Sequence, residues 1–218
     1  MRLASTEARS EHRHRWSADN ARNVQLYSAL VQRYGESFQA LDWSSRESQN
    51  RRFAILEEVA CLHNASVLDV GCGFGDFYGR MKASELQVRY TGIDIAAAMI
   101  DRACARFPEA NFCLQDPLDA SPEIASHDYV LSSGIFAKRR TAPLAFLKAM
   151  VGRMFELANH AVAFNSLSSW AEEKEASEFY ADPAEVLQFC RTLTPWVVLR
   201  HDYHPRDFTV YMYKTAKA

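Results

Sequence analysis

From Ser66 to Lys214 the chain alternates short apolar runs with longer amphipathic ones. The strand-like runs are 66–70, 88–93, 110–114, 127–133, 160–166, 196–203 and 207–214. Helical spacing of apolar residues fills 75–84, 96–107, 142–157 and 182–193. The last of these opens on Asp182-Pro183-Ala184-Glu185: a cap, a proline at the first helical position, a glutamate closing the box. Strands that are apolar throughout and alternate with helices predict a mostly parallel sheet covered on both faces, a doubly wound α/β fold. The link at 204–206 is too short for a parallel crossover, so the seventh strand is expected to run antiparallel. Upstream, Leu26, Leu30 and Tyr34 repeat every four residues beside Tyr27 and Val31, a helix stopped by Gly35. Ser44 and Glu47 fit a capping box for a second helix, with Phe53, Leu56, Val59 and Ala60 as its apolar stripe. Residues 1–15 are polar and basic (Arg2, Arg9, His12, Arg13, His14, Arg15) and read as a tail, or as a lid that orders on ligand binding. The expected division is 1–62, tail and helical cap, and 63–218, the ligand-binding domain.

Composition narrows the function. With 48% hydrophobic residues the chain can bury a good core, and its formal net charge of -2 shows no basic excess. No nucleic-acid partner is expected. The five cysteines, Cys61, Cys72, Cys104, Cys113 and Cys190, form no C-x-x-C pair. They are expected to be reduced thiols, mostly buried, in a cytoplasmic protein that binds no metal. The opening residues lack an apolar segment and include Glu7 and Glu11, and no apolar run is long enough for a membrane span, so no membrane association is expected. Oligomeric state is left open.

The chemistry starts at VLDVGCGFGDFYGRM, 67–81. A phosphate-binding P-loop needs a Lys-Ser or Lys-Thr after its last glycine, and Gly75 is followed by Asp76. A dinucleotide fingerprint fits Gly71 and Gly73, but its third glycine is Asp76, whose charge opposes a pyrophosphate. Asp69 precedes the loop, and the backbone amides of Gly71 to Gly75 are candidates to receive a carboxylate. Asp94 ends the next strand, where a ribose diol is held, and Asp116 follows the third strand, placed to accept from an exocyclic amine. The implied ligand carries an amine, a carboxylate, a ribose and an adenine, with no phosphate.

On these residues the chain resembles the class I S-adenosylmethionine-dependent methyltransferases. VLDVGCGFG is similar to their first motif, YTGIDIAAAMI to their second and FCLQDPLD to their third, and the likeness runs over roughly 60–214. It implies a Rossmann-like seven-stranded sheet with an antiparallel last strand. It implies S-adenosylmethionine as cofactor, with Asp69, Gly71 and Gly73 at its methionine part, Asp94 on the ribose hydroxyls, Ile95 against adenine and Asp116 on the adenine amine. Cys72, Pro117 and Ser133 complete the expected cofactor set. Met81 and Met99 are expected in the core.

Ligands of open parallel sheets lie beyond the carboxyl ends of the strands. That edge offers Ser132, Ser133 and Gly134, then Asn165, Ser166 and Ser168, then Trp170, Tyr180, His201, Asp202, Tyr203 and His204. Asn165, Tyr180 and His201 are the expected catalytic residues, with a histidine as base if the acceptor must lose a proton. Tyr27, Tyr34, Trp43 and Arg46 are candidates for a cover. The fourth strand leads into SSGIF, which lacks both the Asn/Asp-Pro-Pro-aromatic signature of base methylation and the acid of metal-dependent catechol methylation. The run Lys138-Arg139-Arg140 reads as a solvated loop, or as a patch that attracts an acidic acceptor. The expected reaction is O- or N-methylation of a small-molecule acceptor. Two alternatives keep the ligand: intramolecular cyclisation of S-adenosylmethionine with release of methylthioadenosine, as in azetidine-forming enzymes, and a non-catalytic S-adenosylmethionine-binding partner. A nicotinamide oxidoreductase is disfavoured by Asp76.

Overall fold

The computed structural model describes residues 6–119 and 123–216, with side chains from residue 16 onward. The basic side chains of the first 15 residues lie outside the described ones. Seven strands form one sheet: β1 (Ser66–Val70), β2 (Arg89–Asp94), β3 (Asn111–Leu114), β4 (His127–Ser132), β5 (Ala158–Leu167), β6 (Val197–Arg200) and β7 (Asp207–Tyr213). Their order is β3-β2-β1-β4-β5-β7-β6, and β7 is antiparallel to both neighbours. The order reverses between β1 and β4, which places a crevice at their carboxyl ends. β6 stops at Arg200, short of the expected 203, because its pairing with β7 ends at Arg200 and Thr209. His201 and its neighbours therefore form a turn.

Successive strand residues face opposite sides, and both sides are apolar. Val162 and Phe164 of β5 join one core with α5 (Pro143–Leu157) and α6 (Pro183–Leu193), through Leu147, Met154, Val186 and Cys190. Ala161 and Ala163 join the opposite core with α2 (Arg46–Glu57), α3 (Asp76–Ala83) and α4 (Ala97–Arg106), through Leu56, Phe77, Met81 and Ala103. Burial on both faces explains why these strands read as continuous apolar runs.

The N-terminal region departs from expectation. α1 is one helix from Thr6 to Tyr34, so the segment read as a tail is helical from residue 6. The apolar repeat Leu26, Leu30, Tyr34 announces only its last turns, and among its described side chains Trp16, Asp19 and Val31 are buried. Gly35 ends it at φ +63°, with its N–H on the Val31 carbonyl at 2.9 Å. α2 is capped by Ser45 rather than Ser44, its hydroxyl accepting from the Ser48 N–H at 3.0 Å. α6 opens on the expected cap and proline, with Asp182 accepting from the Ala184 N–H at 2.8 Å, while Glu185 pairs with Lys148 at 2.8 Å instead of closing a box. The cysteines are less buried than expected: Cys72 and Cys190 are buried, Cys113 is half-buried, and Cys61 and Cys104 are exposed. Among the described residues no helix is long and apolar enough to cross a membrane.

Candidate cofactor site

A cavity opens at the carboxyl ends of β1 to β4, roofed by α1 and the 35–45 segment. Asp69, Gly71, Cys72, Gly73, Asp94, Ile95, Asp116, Pro117 and Ser133 all line it. After β1 the chain turns on Gly71 (φ +78°), Gly73 (+53°) and Gly75 (+73°), a left-handed path that disfavours side chains. Space forbids them too. A Cβ on Gly71 would stand 2.2 Å from the Ile135 side chain, and one on Gly73 2.8 Å from Leu41. The backbone amides of Gly71, Cys72, Gly73 and Gly75 are already engaged within the protein, against the expectation that the amides from Gly71 to Gly75 receive a carboxylate. Gly71 and Cys72 donate to the Ile93 carbonyl at 2.8 and 3.1 Å, Gly73 to Asp94, and Gly75 to the Cys72 carbonyl at 3.0 Å.

Three carboxylates stand at the tips of adjacent strands. Asp69 is buried and accepts from the Tyr90 hydroxyl at 2.6 Å. Burial pushes its carboxyl up to about 7; the Tyr90 bond opposes this and the charge of Asp94 adds to it. Asp94 braces two turns, Oδ2 accepting from the Gly73 N–H at 3.0 Å and Oδ1 from the Ala96 N–H at 2.9 Å. Burial raises its pKa, against the backbone N–H groups of Ala96, Gly73 and Ile95. Asp116 accepts from the Leu118 N–H at 2.9 Å on Oδ1 and from the Asn20 amide at 2.7 Å on Oδ2. Its pKa too is raised by burial. At the start of α3, Asp76 takes Arg106 at 2.6 Å, Gln49 at 3.2 Å and Arg46 at 3.3 Å. The helix end a pyrophosphate would use is thus filled by the protein's own carboxylate.

The expected catalytic residues lie elsewhere. Asn165, buried in β5, holds the turn after β4 from behind: its Oδ1 accepts from the Gly134 N–H at 2.9 Å and its Nδ2 donates to the Ser133 hydroxyl at 3.1 Å. His201 bonds the Ser168 hydroxyl at 2.7 Å and stacks near Trp170 and Phe208, off the cavity wall. Tyr180 bonds Glu178 and Arg206 behind the rim, and of these three only Glu178 lines the cavity. Among the described residues no histidine lines it.

The roof brings in residues that sequence patterning left unassigned. α1 docks through Trp16, edge-on to Phe146 at 5.5 Å, and through Asp19, which accepts from the Thr141 N–H at 3.1 Å. Asn20, Asn23, Val24 and Tyr27 of α1 face the cavity. Trp43 covers Gly134, where an added Cβ would meet the indole at 3.0 Å, and the Arg52 guanidinium stacks over that indole at 5.0 Å. Tyr34 is exposed and Arg46 serves Asp76, so neither forms the cover. The basic run at 138–140 is not a solvated loop. Lys138 lines the cavity and pairs with Asp42, and Arg140 is buried on the Phe146 ring at 3.6 Å with Nη1 on the Asn20 carbonyl oxygen at 2.8 Å. Met81 lies in the core, whereas buried Met99 also reaches the cavity wall.

Residues 67–156, which hold the glycine turn and all three carboxylates, match the family described as methyltransferase domain. By that match the stretch 67–156 is similar to a methyltransferase domain. A Mycobacterium tuberculosis protein named as a candidate methyltransferase, Rv1506c, is 29% identical to the chain over 161 residues, 69% of this chain and 94% of that protein. Two solved structures share the fold. Magnesium protoporphyrin IX methyltransferase from Synechocystis, with S-adenosylhomocysteine bound, has a TM-score of 0.63 at 14% identity, covering 90% of this chain and 96% of that one. An O-methyltransferase family protein from Burkholderia thailandensis has a TM-score of 0.64 at 14% identity, covering 95% and 71%.

The methyltransferase domain fits its cofactor by its own chemistry. A turn with glycine at 71, 73 and 75 adjoins three carboxylates on the cavity wall, buried Asp69 and half-buried Asp94 and Asp116. No phosphate cradle competes, since Asp76 fills that end of α3.

Proposed function

We propose that this protein transfers the methyl group of S-adenosylmethionine to a small-molecule acceptor held under α1 and the 35–45 segment. The observation that carries this is the row of carboxylates at three adjacent strand tips, buried Asp69 with half-buried Asp94 and Asp116. Such a row favours a ligand with positive and hydrogen-donating groups over one with phosphates. The cofactor supplies an electrophilic methyl on a sulfonium with a good leaving group. Positioning then provides most of the rate. Asp69 pairs with the ammonium, Asp94 with the ribose diol and Asp116 with the adenine amine. With the turn amides engaged, the donors for the ligand carboxylate are Lys138 and the Tyr27 hydroxyl, which burial beside Asp42 and Asp94 keeps protonated. Asn165 fixes the Ser133–Gly134 turn against which the cofactor lies, and Tyr180, with Arg206, sets Glu178 at the rim. The roofed cavity and small-molecule neighbours such as the protoporphyrin enzyme support a small acceptor.

Calorimetric titration tests this reading. Micromolar binding of S-adenosylhomocysteine with no binding of NAD is expected. Preference for NAD, or no heat with S-adenosylhomocysteine, would overturn it. Acceptors are then found by the production of S-adenosylhomocysteine from S-adenosylmethionine with candidate phenols and amines, and methylthioadenosine released without an acceptor would show cyclisation instead.

A further inference from the structure

Asp116 does not stand alone. Asn20 of α1 reaches across the cavity edge, its amide nitrogen 2.7 Å from Asp116 Oδ2. The orientation of that amide is set from the other side, because Arg140 Nη1 donates to its oxygen at 2.8 Å. A flipped amide would put its NH2 against a guanidinium and its oxygen against a carboxylate. The chain Arg140–Asn20–Asp116 therefore has one polarity. Arg140 is itself buried, its Nε without a hydrogen-bond partner, and it lines the same cavity as Asn20 and Asp116.

This polarity matters for what Asp116 can recognise. An ionised carboxylate only accepts, so it fits the 6-amino group of adenine and rejects the 6-oxo group of hypoxanthine. A protonated carboxyl could donate to that oxo group. Burial and the neighbouring Asp119 push Asp116 toward protonation; the Leu118 N–H, the Asn20 amide and the Arg140 charge push the other way. Asp19, also on α1, faces Arg140 and helps hold it charged.

Resting on the cofactor reading above, we propose that Asn20, oriented by Arg140, is a positioning residue that keeps Asp116 a pure acceptor and so makes the site select adenine over 6-oxopurines. Selectivity for the purine then depends on α1, an element outside the three sequence motifs.

The test compares S-adenosylhomocysteine with S-inosylhomocysteine by calorimetry on the full chain. Asn20→Ala removes a charge-assisted donor, and its S-adenosylhomocysteine affinity is expected to fall about tenfold. S-inosylhomocysteine affinity should fall less, so the ratio narrows. Asn20→Asp sets a second carboxylate beside Asp116, forces the pair to share a proton and should narrow the ratio further. Equal loss of both ligands in Asn20→Ala, or no change, would overturn the proposal by reducing Asn20 to a docking contact. Failure of the unaltered protein to bind S-adenosylhomocysteine would instead overturn the cofactor reading, and this proposal with it.

Discussion

Asp69 faces the cofactor space with one hydroxyl, Tyr90, as its partner. Its pKa of about 7 means that the ligand-free protein resists charging it. Relative to an unfolded value of about 3.9 the native state keeps a proton that the unfolded chain has lost, so this group lowers stability as pH rises from about 4 towards 7. A cationic ligand reverses the preference. S-adenosylhomocysteine affinity is therefore expected to fall up to about tenfold per pH unit below pH 7, as a proton must leave for the ammonium to pair. Asp69→Asn should flatten that profile in calorimetry, cost at least about tenfold in affinity at pH 8, and raise the melting temperature of the ligand-free protein by about 5 °C. A steep profile retained in the variant would assign the titration to another group. These carboxylates were legible because each ends a strand-like run. Arg140 was not: in sequence it is one of three basic residues, and only docking of α1 and Phe146 separates it from exposed Arg139.

At the scale of elements, the sheet and its helices follow from the periodicity of their own residues. α1 does not. Among its described side chains only Trp16, Asp19 and Val31 are buried, and Trp16 is the largest of them. Truncating a buried tryptophan typically costs about 3–5 kcal/mol. Trp16→Ala should therefore undock α1 while the seven-stranded domain stays folded. Trypsin should then cut faster within α1, after Arg22 or Arg33, and S-adenosylhomocysteine affinity should drop because Asn20 and Tyr27 leave the cavity. Unchanged cleavage and binding would show that α1 is held by its polar contacts at Asp19 and Asn20 instead. The segment between β5 and α6 combines both kinds of contact, Phe179 and Ala181 on the core and Tyr180 and Glu178 on Arg206.

For the whole molecule, the question is what ties the cap to the far side of the sheet. Arg52 of α2 forms a buried bidentate pair with Asp207 at the start of β7, which also takes His204 at 2.9 Å. The same guanidinium stacks on Trp43 in the cavity roof. Breaking a buried pair from one side leaves an uncompensated charge, at about 3–5 kcal/mol. Arg52→Ala should lower the urea midpoint accordingly, leave the slope unchanged and raise the dissociation constant for S-adenosylhomocysteine through Trp43. A shift no larger than that of a surface substitution would mean that water already screens the pair.

What the sequence determined by itself was local: strand and helix order, the antiparallel return, the glycine turn and the three carboxylates one strand apart. Each is written in a few neighbouring residues, where apolar period, backbone freedom and short links act directly. Only the tertiary structure decided that Asn20, Trp43, Lys138 and Arg140 share a cavity with Asp116, and that His201 and Tyr180 stand off its wall. Those placements depend on polar contacts between residues up to 155 positions apart, such as Arg52 and Asp207. A polar side chain shows no period that announces its partner, so its role exists only once the chain has folded around it.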